Sequence, residues 1–90
     1  MKILAFDIPV DFKEPTLGSQ NWGSFLLSRG TIEIDNTLPQ QVKEETVLHE
    51  VLEAIDAICD LQLEHRAITN MSAILYQVIS DNGGDISKWK

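Results

Sequence analysis

Residues 31–60 read TIEIDNTLPQ QVKEETVLHE VLEAIDAICD, and a change of period inside that stretch decides the fold. Thr31-Ile32-Glu33-Ile34-Asp35 alternates apolar and polar residues, the mark of a strand with one face covered. From about Gln41 to Asp60 the apolar residues Val47, Leu48, Val51, Leu52, Ile55, Ile58 and Cys59 recur instead at three- and four-residue spacing. That is the stripe of an amphipathic helix lying on a core. Between the two, Thr37 and Gln40 have capping-box spacing and Pro39 is tolerated in a first helical turn, so Asn36 to Gln40 marks the change.

Upstream, Lys2 to Ile8 is β-prone, Pro9 and Pro15 interrupt it, and Gly18-Ser19-Gln20-Asn21 is a polar break. Trp22 to Leu27 reads as a second strand, joined through the turn Ser28-Arg29-Gly30 to strand 31–35 as an antiparallel hairpin. Downstream, Leu61 to Leu63 connects to a second helix from about Glu64 to Ser80. Its apolar residues are Ile68, Met71, Ile74, Leu75, Val78 and Ile79, and Asn82-Gly83-Gly84 stops it. The tail Asp85 to Lys90 is expected to be loose, with Ile86 and Trp89 able to dock.

The expectation is a single α+β domain over 1–90, in which a small antiparallel sheet of about three strands packs against two antiparallel or crossed helices. Strands occupy 1–35, one helix 37–60, a second 64–82, and the tail 83–90.

Composition narrows the function. Seven basic against 14 acidic residues give a formal charge of −7, which repels a phosphate backbone and disfavours nucleic acid as a partner. The apolar run Ile3 to Phe6 stops at Asp7, and no later run approaches membrane-spanning length, so a cytoplasmic protein without membrane contact is expected. The single cysteine, Cys59, excludes an internal disulfide and a thiolate metal site, and is expected to be buried as a small hydrophobe. No Ser/His/Asp grouping, phosphate-binding glycine loop or paired-cysteine motif supports nucleophilic catalysis or nucleotide binding. A 90-residue domain with 43% hydrophobic residues builds a core of marginal stability, which a bound metal or a partner subunit would reinforce.

The chemistry lies in the longer helix. His49 and Glu53 are four apart, so their side chains share a face and can reach a common point, a chelating pair. Glu50 points about 100° around the helix, out of the ligand shell yet close enough to serve as a general base. Asp56 and Asp60 continue the His49 face, where either could hold a ligand in place or meet solvent, solvent being favoured for Asp60. The bland alternative for the group is a solvated histidine among surface carboxylates. Against it, the pair sits mid-helix between Leu48 and Val51-Leu52, and the other histidine, His65, opens the next helix. Trp22 and Phe25 are expected in the core. Tyr76 shares the face of His65 but lies three turns away, roughly 16 Å at 1.5 Å per residue. Thr69 and Ser72 are nearer and could orient His65 or simply pack.

Strand Thr31–Asp35, then Leu38-Pro39, then Glu45-Thr46-Val47-Leu48-His49-Glu50, and finally Ile74-Leu75-Tyr76-Gln77-Val78-Ile79-Ser80-Asp81-Asn82, resembles the small phage-encoded members of the ImmA/IrrE-type zincin-like metallopeptidases. The resemblance covers about residues 31 to 82. It implies a zincin-like minimal domain holding one divalent ion, expected to be zinc, with His49 as first ligand and Glu50 as general base. Glu53 stands where H-E-x-x-H has its second histidine. His65 falls where the family places an acidic third ligand, so the set remains two histidines and one carboxylate. Glu64 is the alternative to His65.

One geometric condition attaches to this set. If the helices run straight to Asp60 and turn back symmetrically, His65 faces Ile58 rather than Glu53. The site closes if the first helix ends near Ala57 or the second crosses steeply.

Two functions follow. One is a peptide hydrolase in which Glu50 takes the proton and strand 31–35 holds an extended substrate by edge pairing; the resemblance implies a regulatory protein such as a phage repressor as target. The other is a non-catalytic, metal-stabilised interaction or regulatory module, in which form the chain could be a homo-oligomer.

Overall fold

The computed structural model describes residues 1–3, 6–14, 22–26 and 30–84. The expectations for Pro15, the break at 18–21, the turn residues Ser28 and Arg29 and the tail from Asp85 lie outside the described residues. The chain is α+β, with a two-stranded and a three-stranded sheet and two helices.

The segment read as one β-prone run folds back on itself. β1 (Lys2–Ile3) pairs antiparallel with β2 (Phe6–Asp7), closed by the Ile8 N–H donating to the Met1 carbonyl at 2.7 Å. The larger sheet comprises β3 (Val10–Lys13), β4 (Gly23–Leu26) and β5 (Thr31–Asp35), in the order β3-β5-β4. The expected hairpin is present as the antiparallel β4–β5 pair, and β3 adds to the other side of β5 in parallel. Pro9 hides β3 from a sequence reading. A proline cannot donate to a ladder but can precede a strand, and the Pro9 carbonyl accepts the Ile32 N–H at 2.9 Å.

Alternation along β5 then sorts the two faces. Ile32 and Ile34 are fully buried and stand beside Val10 and Phe12 on β3, and beside Phe25 and Gly23 on β4. The opposite face is polar and carries the Lys13–Glu33 ion pair at 2.6 Å.

α1 (Gln40–Cys59) covers the apolar face, placing Val47 and Ala54 in a cluster with Ile3, Ile8, Ile32 and Ile34. The expected capping box does not form, because the helix starts at Gln40 and leaves Thr37 outside it. Thr37 instead donates its N–H and Oγ1–H to Asp35 Oδ1, at 2.8 and 2.6 Å. Gln40 donates to Glu44 Oε2 at 2.7 Å. At 1.5 Å per residue a 20-residue helix runs about 30 Å, whereas a five-residue strand spans about 17 Å. Ile55 and Ile58 still pack against the core near the end of α1, but Cys59, the last residue of the helix, is exposed rather than buried.

α2 (His65–Asp81) packs on α1. Ile68 and Ser72 are buried by this packing, but Met71, Ile74, Leu75 and Val78 remain exposed, Ile74 to 61%. They were expected to face the core. With α1 as its main neighbour, α2 covers only one edge of its apolar stripe. Gly83, at φ 87°, ends the helix in the left-handed conformation, and the Gly84 N–H donates to the Ile79 carbonyl at 2.9 Å. Among the described residues, no helix is long and apolar enough to cross a membrane.

Candidate metal centre

Local helix geometry brings His49 and Glu53 together, as their spacing predicts: His49 Nε2 lies 3.5 Å from Glu53 Oε1. His65 arrives by a route that periodicity does not reveal. α1 does not end early at Ala57 but runs to Cys59. Asp60 then turns left-handed at φ 52°, ψ 51°, with its N–H on the Asp56 carbonyl. Gln62 is also left-handed at φ 58°, and Glu64 is extended. Five residues from Asp60 to Glu64 can span about 16 Å when extended, more than the 9 Å or so of helix between Cys59 and Glu53. The connector thus has the length to step back along α1, so that α2 starts beside Glu53 and not beside Ile58. Asp56 holds it there, its Oδ1 accepting the Leu63 N–H at 2.9 Å and its carbonyl the Leu61 N–H at 3.2 Å.

His65 Nδ1 consequently lies 3.3 Å from the same Glu53 Oε1, and the two imidazole rings meet edge-on with centroids 5.1 Å apart. The donor atoms of His49, Glu53 and His65 all lie within 4.8 Å of one another. In a tetrahedral zinc shell with bonds of about 2.0–2.1 Å, neighbouring donors sit about 3.3–3.4 Å apart. Both distances to Glu53 match that edge, and the imidazole nitrogens, within 4.8 Å of each other, need to close by about 1.5 Å at most. This His-Glu-His group could hold a divalent metal ion. Glu64, the alternative ligand, is exposed and does not join the group; its carbonyl accepts the Ala67 and Ile68 N–H groups at the start of α2.

Glu50 stands beside the group and is only 5% exposed. Among the described residues no hydrogen bond partners its carboxylate. Burial foremost, and then the charge of Glu53, pushes its carboxyl up to about 7. Burial also lowers the pKa of His49; Glu53 opposes this, His65 adds to it, and Glu45 opposes it again. The result favours the neutral imidazole that a metal requires.

These side chains open into a cavity of about 590 Å³ between α1, α2 and the start of β4. Its walls include residues to which the sequence reading assigned no site role: Glu45, Val42, Thr46 and Gly23. Glu45 had a findable signal, since it precedes His49 by four on the same helix. Trp22, expected in the core, is 59% exposed and lines the cavity instead. It precedes β4, and its carbonyl is held by the Asp35 N–H at 2.8 Å while its ring is left outside the sheet.

Three of the nearby hydroxyls are engaged elsewhere. Ser72 donates to the Thr69 carbonyl at 3.0 Å and Thr46 to the Val42 carbonyl at 2.7 Å. Tyr76 donates to Glu44 Oε1 at 3.0 Å, fastening α2 to α1. Strand 31–35 cannot hold a substrate by edge pairing, because β5 is central and paired on both sides. The edge strand on the cavity side is β4, whose Gly23 lines the cavity. No family model matches the chain, and neither does any curated protein or solved structure.

Proposed function

We propose that this chain is a zinc-dependent peptide hydrolase of zincin-like type, built on an H-E-x-x-E helix. The observation that carries the reading is Glu50, a residue only 5% exposed whose carboxyl lines the open cavity beside three convergent donors, has no hydrogen-bond partner among the described residues, and is raised to about 7. His49, Glu53 and His65 would hold the ion. When bound, a divalent cation supplies Lewis acidity toward a carbonyl and makes a neighbouring water more acidic. Glu50, with a carboxyl near 7, accepts a proton from water on one side of the reaction and returns it to the departing amine on the other. The outer edge of β4 aligns an extended peptide along the cavity. A protein target such as a phage repressor comes from the family resemblance alone.

A second reading, a non-catalytic module that the metal holds together, is favoured by a separate observation. The Thr46 and Ser72 hydroxyls are engaged with backbone carbonyls and Tyr76 with Glu44, so none of these three is aimed at a developing oxyanion.

Elemental analysis combined with peptide turnover separates the two. In a hydrolase, Glu50→Gln abolishes turnover while zinc content stays at the wild-type level. Wild-type turnover no higher than that of metal-stripped protein removes the enzyme reading and leaves the module.

A further inference from the structure

We propose that the cavity contains a cation subsite, made by Glu45, Trp22 and Val42, that selects a peptide carrying a basic side chain next to the bond presented to the donor group. This deepens the hydrolase reading and rests on that cavity being the peptide site.

α1 places Glu45, His49 and Glu53 four residues apart in succession, so all three lie on one helix face. Glu45 stands one turn from His49, about 6 Å along the axis. Along α1 the cavity lining extends from Glu53 and His49 through Glu45 to Val42, and Trp22 lines the same cavity. That offset matches a side chain reaching outward from a residue beside the scissile bond, and lysine and arginine stems have the length to cover it.

The charge of the walls points the same way. Glu45, Glu50 and Glu53 line the cavity, and among the described residues no lysine or arginine does. Among the described residues none of the three carboxylates has a lysine or arginine ion-pair partner; the only partners of Glu53 are the two histidines. Glu50 is buried against this space without a hydrogen bond, so its carboxylate faces a ligand or water and not the protein. Glu45 lies one turn beyond the donor group, outside the set that would hold a divalent ion, so its charge is open to a cationic ligand group.

Trp22 adds a second, chemically different preference for the same charge. Its ring is exposed at the cavity wall and not used by the core, and an indole face attracts a cation and repels a carboxylate. An alkyl stem resting on Trp22 and Val42 with its charged head at Glu45 satisfies both preferences.

The test uses four short peptides titrated into the zinc-loaded full chain, followed by NMR at the Trp22 indole N–H and the Gly23 amide. They are acetyl-Ala-Arg-Ala-amide, its citrulline and glutamate counterparts, and Ala-Ala-Ala-amide with a free amino terminus. The arginine peptide should bind about tenfold tighter than the citrulline peptide, and the glutamate peptide weakest. Glu45→Gln should remove most of that preference with zinc content unchanged. If only the free-terminus peptide depends on Glu45, the subsite stands and the cation it takes is an α-ammonium. Equal affinity for arginine and citrulline together with no Glu45 dependence for any peptide overturns the proposal.

The hydrolase reading fails separately. A protein that takes up no zinc yet prefers arginine through Glu45 has the subsite without the metal chemistry.

Discussion

His65→Ala tests the convergence on which the metal centre depends, and the structure allows its effect to be divided in two. The His65 side chain is 77% exposed, and among the described residues its polar and ring partners are Glu53 and His49. Removing it from metal-free protein should therefore change stability by no more than about 0.5 kcal/mol, the usual range for surface positions. The metal-linked part is larger. A ligand that binds only the folded state at a hundredfold excess over Kd adds about 2.7 kcal/mol. For a domain of this length each kcal/mol moves Tm by about 4–8 °C, so wild-type protein should gain about 11–22 °C under such zinc.

Differential scanning calorimetry of wild type and variant, each with chelator and with zinc, reads both parts. The expected pattern is nearly equal Tm values in chelator and loss of most of the zinc shift in the variant. A variant that keeps the full shift would show that His65 is not a ligand. A large drop in chelator alone would show that it supports the fold instead.

Glu50 should give metal-free protein an unusual pH dependence. Its carboxyl is raised from 4.5 to about 7 in the folded state, so between those values the folded protein keeps a proton that the unfolded chain releases. Stability from this group falls as pH rises through that window, by roughly 3 kcal/mol. His49, with its pKa lowered, acts oppositely and loses stability as pH falls through about 6.5. Glu50→Gln should therefore abolish the decline between pH 5 and 8 in urea titrations, and an unchanged slope would refute the assignment. Gly23→Ala should cost about 1–3 kcal/mol by chemical denaturation, because a Cβ there would sit 2.8 Å from Thr46 Cγ2 and 3.1 Å from the Glu33 carbonyl oxygen. Ile68→Ala should destabilise by about 2–5 kcal/mol, whereas Ile74→Glu should stay within about 0.5 kcal/mol; comparable losses would show that the outward face of α2 is covered.

The amino-acid order alone determined what depends on neighbours a few residues apart. Alternation at Thr31–Asp35 set which side of that strand is buried, and three- and four-residue spacing placed both helices. The i, i+4 relation made His49 and Glu53 a pair wherever the helix lay. Path and environment were decided only in three dimensions. Two left-handed residues, Asp60 and Gln62, and the Asp56 side chain return the chain so that His65 meets Glu53. β3 joins β5 across Pro9, making central a strand expected at an edge. Glu50 owes its raised pKa to burial beneath the assembled sheet and helices, Trp22 its exposure to the path of β4, and α2 its half-open stripe to packing mainly on α1. A periodic pattern reports which side chains share a face, because backbone dihedrals repeat locally. It says nothing of what covers that face or how far a connector travels, since those follow from contacts between residues distant in the chain.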